Sequence, residues 1–331
     1  MGYVYTKSGK LAKRLYFGAV LLFEGLYYTF KNRVLADGGT FVENELPTIS
    51  QDAKLVLTPN AYKAGKLYSA VPNDGTGDFT VVRNSTATYI DEDGLIKTAL
   101  ANVPRIDYGT GEAALLVEPQ STNLSLWSED CDSTYWRKNN GATVTINQII
   151  SPDGTLNADR VTFPVDGQIS TRLSFTGTAD LYQSYYVKKG TCNIVRLREA
   201  YYFGNAILFD LNDGSIVEGA TQGGIEALAN DWFKIWIKNT YSSQQEISYI
   251  LESTQVGNLH VWGSKTATEY SSYIKTEATS VTRLADNISV PTPAGVTSIT
   301  ETIGGIEQTP ITTIPATYSL PVGNINKVKM Q

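Results

Sequence analysis

The chain has 331 residues, more than one β-sandwich needs, and we therefore expect two or three domains. Its formal net charge is −6, and the chain lacks the excess of basic residues that is typical of proteins that bind nucleic-acid duplexes. We therefore predict no nucleic-acid partner. With 20 Tyr, 28 Gly and only 2 Met, the composition favours β-strands and tight turns over helices.

Residues 1–57 differ from the rest of the chain. The apolar run 15–23 (LYFGAVLLF) follows four basic residues, and Glu24 interrupts it. The run is too short to span a membrane, and no small-x-small cleavage site follows it as it would in a signal peptide. We interpret it as a buried strand or as an anchor that packs against a neighbouring subunit. The residues expected to make this docking contact are Tyr16, Phe17, Leu21, Leu22 and Phe23.

Residues 58–124 are predicted to form a β-rich connector. The sequence 72–78 (PNDGTGD) is a strong loop signal, and 79–90 has the pattern of a strand that ends at the acidic turn 91–94. The apolar run 114–117 (ALLV) predicts a buried strand.

Residues 125–290 show the short alternating runs and regular turns of an antiparallel β-sandwich. A hairpin is indicated at Asn212-Asp213-Gly214, and 222–230 is compatible with one helical turn. The predicted strands lie within 182–187, 193–198, 207–211, 231–238 and 260–263.

Residues 291–331 alternate Thr and Ile around Gly304-Gly305, which predicts a small C-terminal β hairpin module. The sequence has no period of the kind that builds a solenoid or a coiled coil. The predicted division of the chain is 1–57, 58–124, 125–290 and 291–331.

Catalysis finds little support in the sequence. The single histidine is His260, and the metalloprotease, nucleophile-elbow and P-loop motifs are absent. We therefore predict a protein that is not an enzyme and that has no cofactor or metal, although 33 acidic residues leave a glycosidase pair open. Asp153-Gly154 fits either a calcium loop or a plain turn. Cys131 and Cys192 either pair or remain free thiols.

Aromatic residues give the stronger functional signal. Side chains alternate along a strand, so 231–238 has one apolar face and one face with two Trp beside two Lys. The second face is a candidate glycan platform because Trp rings stack on the apolar faces of sugars. Alternatively, another strand, a loop or a neighbouring subunit covers it. With a Tyr-rich stretch nearby, the glycan-binding candidates are Trp232, Lys234, Trp236, Tyr185 and Tyr201.

Several segments, in order, resemble those of a known family. They are TPNAYKAGKLYSAVPNDGTGDFTVVRNSTATYIDEDGLI (58–96), LLVEPQSTNL (115–124), YYVKKGTCNIVRLR (185–198), NDWFKIWI (230–237) and SYIKTEATSVTRLADNISV (272–290). The family comprises phage virion proteins described as head spike or head fibre proteins, with relatives among phages of Bacteroidetes hosts. The likeness extends over residues 55–290.

This resemblance implies a jelly roll similar to carbohydrate-binding modules, on a protein of the virion that assembles in the bacterial cytoplasm. It implies capsid, portal or collar proteins as partners, a homotrimer, and attachment to host-surface or mucin glycans, with residues 1–57 as the virion-docking and oligomerisation segment. A tail-associated receptor-binding protein is the alternative, and a virion-associated glycan depolymerase is a third hypothesis.

Overall fold

A computed structural model describes residues 30–42, 52–200, 206–219, 222–242 and 245–331. The regular secondary structure of these residues is almost entirely β, and the strands pair antiparallel, which confirms the predicted all-β, antiparallel fold class. The predicted docking residues Tyr16, Phe17, Leu21, Leu22 and Phe23, and the glycan candidate Tyr201, lie outside the described residues.

The first part of the described chain has one helical segment, 30–36, and ten short strands. The strands are β1 (Thr40–Phe41), β2 (Leu55–Leu57), β3 (Ala61–Lys63), β4 (Lys66–Leu67), β5 (Phe79–Val82), β6 (Ala87–Ile90), β7 (Ile96–Ala99), β8 (Ile106–Asp107), β9 (Ala114–Val117) and β10 (Ser121–Asn123).

The middle part has longer strands that alternate buried and exposed positions. They are β11 (Arg137–Asn139), β12 (Thr143–Ile150), β13 (Leu156–Phe163), β14 (Gln168–Ser170), β15 (Leu173–Phe175), β16 (Ala179–Lys189), β17 (Ile194–Glu199), β18 (Ile207–Asp210), β19 (Ser215–Glu218), β20 (Gly223–Ala227), β21 (Phe233–Tyr241), β22 (Gln245–Ile247), β23 (Tyr249–Ser253) and β24 (Gly257–Ala267).

The last part returns to short strands. They are β25 (Val281–Arg283), β26 (Asn287–Pro291), β27 (Ile299–Ile303), β28 (Ile306–Glu307), β29 (Thr317–Ser319) and β30 (Gly323–Met330).

Two six-stranded sheets form the jelly roll. Sheet I has the order β12-β13-β24-β16-β21-β20, and sheet II has the order β11-β14-β23-β17-β18-β19. Apolar side chains from both sheets meet in one buried core, with Val161, Ile235 and Val261 from sheet I and Leu197 and Phe209 from sheet II. Burying such side chains contributes about 1.5–3 kcal/mol each relative to exposure, so this core is the main source of stability for the sandwich.

A second β unit, the flanking unit, combines strands from both ends of the described chain. Strand β26 pairs with β5, and β30 pairs with β2, β9 and β27. The predicted hairpin at Gly304-Gly305 is confirmed as β27 and β28. Its segment does not form a module of its own, because β30 completes a sheet with strands from 55–117. The predicted boundaries at 124 and 290 stay a prediction.

The two units are connected by neighbouring strands. Strand β10 leads into the jelly roll and β25 leads out of it, and the two pair antiparallel from Ser121↔Arg283 to Asn123↔Val281. The flanking unit also packs on the outer face of sheet I, where Ile96 contacts a buried aromatic cluster. The jelly roll is therefore inserted into the flanking unit and rests against it.

Local turn chemistry accounts for most strand ends. The predicted hairpin at Asp213-Gly214 joins β18 to β19, with Gly214 at φ +73°. The acidic turn 91–94 joins β6 to β7. The predicted continuous strand 79–90 is instead two strands, β5 and β6, in different sheets. The segment 222–230 is mainly strand β20, followed by a single 3₁₀ turn at Ala229–Asp231.

Candidate functional site

Strand β21 divides its side chains between the sandwich core and the outer face of sheet I. Ile235 and Ile237 are fully buried in the core, and Phe233 packs against it. Trp232, Lys234, Trp236 and Lys238 lie on the opposite face, which is the alternation predicted from the sequence. The outer face is not uniform, however, because the flanking unit covers only part of it.

The covered part buries aromatic rings that the sequence alone presents as surface candidates. Trp232 is 1% exposed, and its indole N–H donates to the carbonyl of Ile150 at 3.2 Å. It packs with Trp262, Tyr186 and Tyr273 beneath the flanking unit. The prediction that Trp232 forms an exposed glycan platform is therefore wrong in this chain.

The prediction that Tyr185 is a glycan-binding residue is also wrong. It lies in the sandwich core with no exposed surface, and its ring centroid is 5.9 Å from that of Trp136. Tyr185 and Tyr186 are adjacent on β16 and point to opposite faces, so a cluster in sequence is divided in space. Tyr185 thus stabilises the sandwich and is not available to a ligand.

The uncovered part of the face presents three neighbouring rings, which we call the aromatic platform: Tyr182, Trp236 and Tyr270. Ring centroids are 4.9 Å apart for Trp236–Tyr270 and 6.0 Å apart for Tyr182–Trp236. Tyr270 is 37% exposed, and the other two rings are half-buried. Only Trp236 was among the predicted site residues. Tyr270 comes from the loop after β24, so no strand periodicity points to it.

Glycine shapes one edge of the platform. Gly224 on β20 is the cross-strand neighbour of Trp236, and a Cβ added there would lie 2.6 Å from the indole nitrogen. A larger residue at this position would displace the ring. The sequence Gly223-Gly224 therefore allows the indole to lie close over β20.

Polar groups border the platform. Lys238 forms an ion pair with Asp180 at 2.6 Å, and Thr240 donates a hydrogen bond to the same carboxylate at 2.6 Å. These hydrogen bonds lower the pKa of Asp180 below its ordinary value, so the carboxylate is charged at neutral pH. At the opposite edge, the hydroxyl of Tyr270 donates to Glu226. The platform thus has hydrogen-bonding groups on both sides.

A cavity of about 370 Å³ adjoins the platform where the two units meet. Its lining includes Lys234, Glu226 and Tyr270 from the jelly roll, and Tyr89 and Asp107 from the flanking unit. The ammonium of Lys234 lies 3.9 Å from the centroid of the Tyr270 ring. Burial lowers the pKa of Lys234, and nearby carboxylates, Glu226 first, oppose that shift. Tyr270 therefore belongs to both the platform and the cavity.

Sheet II has a concave surface of its own, with a volume of about 940 Å³. Glu252 is one of its lining residues, and it pairs with Arg196 at 3.1 Å and with Arg198 at 3.0 Å. The lining residues that the structure describes include no aromatic ring. These charges satisfy one another, so this surface makes a weaker candidate site than the platform.

The remaining sequence candidates lie outside the platform and outside the lining of the adjoining cavity. The side chain of Asp153 accepts hydrogen bonds from Ser151 and Thr155, as in a plain turn. Cys131 and Cys192 are buried free thiols. Burial, followed by the cations Arg160 and Lys188, lowers the pKa of His260.

The described residues contain neither a metal-ligand cluster nor a helix that could span a membrane. Within 30–42, 52–200, 206–219, 222–242 and 245–331, no group of three or more His, Cys, Asp or Glu side chains is arranged to hold a metal ion. In the same ranges, no helix combines the length and apolarity needed to cross a membrane.

Comparison with known proteins gives distant structural likenesses. No family model and no curated protein matches the chain. Among solved structures, the two N-terminal modules of Clostridium thermocellum endo-1,4-β-D-xylanase 10B, a carbohydrate-binding and a glycoside hydrolase module complexed with xylohexaose, match at 12% identity and a TM-score of 0.31. The match covers 49% of this chain and 30% of that one, so this chain spans under a third of that structure.

Two further matches have the same character. The xylan-binding domain of a Paenibacillus barcinonensis xylanase is 14% identical, with a TM-score of 0.27, and covers 46% of this chain and 94% of its own. The enzymatically active domain of tailspike protein 4 from bacteriophage CBA120 is 11% identical, with a TM-score of 0.27, over 46% of this chain and 21% of its own.

Proposed function

We propose that this chain is a structural protein of a bacteriophage virion whose jelly roll attaches to host-surface or mucin glycans. The observation that supports glycan binding is the aromatic platform, in which three accessible rings lie side by side on the uncovered part of the sheet face. Pyranose rings have apolar faces that stack on such aromatic rings.

The surroundings of the platform fit this role. Sugar hydroxyls need donors and acceptors at the edge of a stacking surface. Lys238 and Asp180 provide a donor and an acceptor at one side, and Glu226 provides an acceptor at the other. The rings are held by contact with one another, so a ligand finds the surface already formed, which reduces the entropy lost on binding.

A glycan array with matched variants tests this function. Wild-type protein binds a saccharide on the array, and Trp236→Ala weakens that binding by about tenfold or more because a stacking surface is lost. Trp236→Phe keeps a ring and restores part of the affinity. Val217→Ala, on the exposed face of β19, is the control and leaves binding unchanged. Absence of saccharide binding by the wild type, or unaltered binding by Trp236→Ala, contradicts the proposal.

The virion role is supported by the sequence resemblance to phage head spike and head fibre proteins over residues 55–290. On this proposal the chain is a homotrimer without enzymatic activity, and residues 1–57 dock it to capsid, portal or collar proteins. Deleting residues 1–50 then leaves a folded sandwich that no longer joins particles. Normal incorporation of the truncated protein contradicts the docking role, and labelling of the protein on the tail favours a tail-associated receptor-binding protein instead.

A further inference from the structure

The cavity beside the platform contains a buried cation that has no anionic partner. Lys234 is 8% exposed, and in the part of the chain that the structure describes its ammonium has neither a hydrogen bond nor an ion pair. The ring of Tyr270 is its close neighbour. Lys265, buried nearby, differs because Ser271 accepts hydrogen bonds from its ammonium. Burying a charge without a partner lowers stability, so Lys234 calls for a functional explanation.

The carboxylates around the cavity already have partners of their own. Asp107 accepts backbone hydrogen bonds from Ile90 at 2.7 Å and from Gly109 at 2.8 Å, one on each oxygen. The carboxylate of Glu226 accepts the hydroxyl of Tyr270. Neither forms an ion pair with Lys234 within the described chain.

Glu118, the third carboxylate of the cavity wall, belongs to a buried ion network. It pairs with Arg105 at 2.7 Å and lies 3.5 Å from Arg283. In the network, Arg83, Arg105 and Arg283 form ion pairs with Glu118 and Asp286, and the resulting excess of one positive charge is offset by the wall carboxylates Asp107 and Glu226. Lys234 is therefore the one cation among the described residues that line the cavity, and none of the wall carboxylates forms an ion pair with it.

The volume indicates the size of a ligand. A water molecule has a share of about 30 Å³ in the liquid, so about 370 Å³ corresponds to roughly a dozen waters. Covalently bonded atoms lie closer together than water molecules do, so one sugar acid fits in this space with room for water beside it. The lining of Tyr, Thr and Ser side chains suits a polyhydroxylated ring.

We infer that this cavity takes one hexuronic acid residue of a glycan that lies on the platform, with its carboxylate paired to the ammonium of Lys234. The inference rests on the proposed glycan binding and adds the chemical class of the ligand. Tyr270 joins the two parts of the site, because its ring belongs to the platform and contacts Lys234.

Calorimetric titration with matched saccharides tests the inference. The probes are oligoglucuronate and oligogalacturonate, each compared with its carboxyl-reduced, neutral counterpart. Wild-type protein binds at least one acidic probe about tenfold or more tightly than the neutral form, since a charge-assisted hydrogen bond contributes that much. Lys234→Met removes the preference, so the ratio of the affinities for the acidic and neutral forms falls to about one.

A matched lysine variant provides the control. Lys238→Met alters an accessible lysine that already pairs with Asp180, so it lowers the affinity for acidic and neutral forms alike and keeps their ratio. Lys234→Arg retains the positive charge and part of the preference. A thermal melt verifies that each variant is folded, and the lysine ammonium resonance of Lys234 shifts when the acidic probe is added.

These experiments distinguish a failure of the hexuronic acid inference from a failure of the proposed glycan binding. Equal binding of acidic and neutral probes by the wild type, or an unaltered preference in Lys234→Met, overturns the hexuronic acid inference and leaves glycan binding intact. Binding of no saccharide of either kind, on the array or in titration, overturns both. Binding of acidic probes that Trp236→Ala does not weaken moves the ligand off the platform and contradicts the arrangement inferred above.

Discussion

The outer face of sheet I has two aromatic regions that are similar in composition but differ in solvent exposure. Trp232, Trp262 and Tyr273 lie under the flanking unit and are at most 3% exposed, whereas Trp236 and Tyr270 are accessible a few residues away. Both regions consist of rings in contact, at comparable centroid distances. What separates a packing cluster from a candidate ligand surface is thus the cover supplied by a remote part of the chain.

The largest expected effect is on the covered region. Trp262→Ala removes a ring that lies 4.5 Å from Tyr273 and 5.4 Å from Tyr186, both buried. We expect the free energy of unfolding to fall by about 3–5 kcal/mol because the change leaves a cavity between the two units. Urea unfolding followed by tryptophan fluorescence measures this. A loss below about 1 kcal/mol would show that the flanking unit contributes little to the fold.

The next effect concerns the ion network behind the cavity. Burial alone would raise the pKa of Glu118, but Arg105 and Arg283 hold it at about 2, below its ordinary value of 4.5. Because the pKa is depressed, the stabilisation is present above about pH 4.5 and is lost as the pH falls towards 2. The loss is about 3 kcal/mol. Unfolding between pH 2 and 6 shows it, and Glu118→Gln, which removes the titrating group, abolishes this part of the pH dependence.

A smaller effect of opposite sign is expected at the junction of the two regions. Lys234→Met removes a buried ammonium that has no anionic partner and keeps an unbranched apolar side chain. We expect the free energy of unfolding to rise by about 1 kcal/mol, since an apolar replacement relieves the desolvation penalty. Differential scanning calorimetry measures the shift. A marked destabilisation would mean that Lys234 has a structural partner and would weaken the ligand inference.

The smallest stability effect belongs to the exposed region. Trp236→Ala changes a half-buried ring at the sheet surface, so the free energy of unfolding falls by less than about 1 kcal/mol while saccharide binding weakens by about tenfold or more. The same substitution in the two regions thus separates stability from binding. If Trp236→Ala unfolds the protein as readily as Trp262→Ala does, the platform is a packing surface.

Local patterns in the sequence predict much of the jelly roll. Alternation along β21 assigns Ile235 and Ile237 to the core, and Asp213-Gly214 and Gly304-Gly305 mark hairpins, because side-chain direction and turn geometry depend on near neighbours. The hairpin of the last segment is therefore predictable, whereas its place in a sheet is not.

Long-range contacts explain the errors. The pairing of β2 with β30 joins segments that lie more than 250 residues apart, and nothing in either segment specifies the other. Trp232 has the strand position of a surface residue and is buried because a distant unit covers it. Tyr270 enters the platform from a loop, where no period in the sequence gives its direction.

The side-by-side pairing of β10 and β25 has a mechanical consequence. The chain crosses between the two units twice, at neighbouring positions. A pulling force on the jelly roll is therefore shared by two covalent backbones, and no single linker carries all the tension. Because two connections also resist rotation better than one, the jelly roll keeps its orientation relative to the flanking unit while it is under strain.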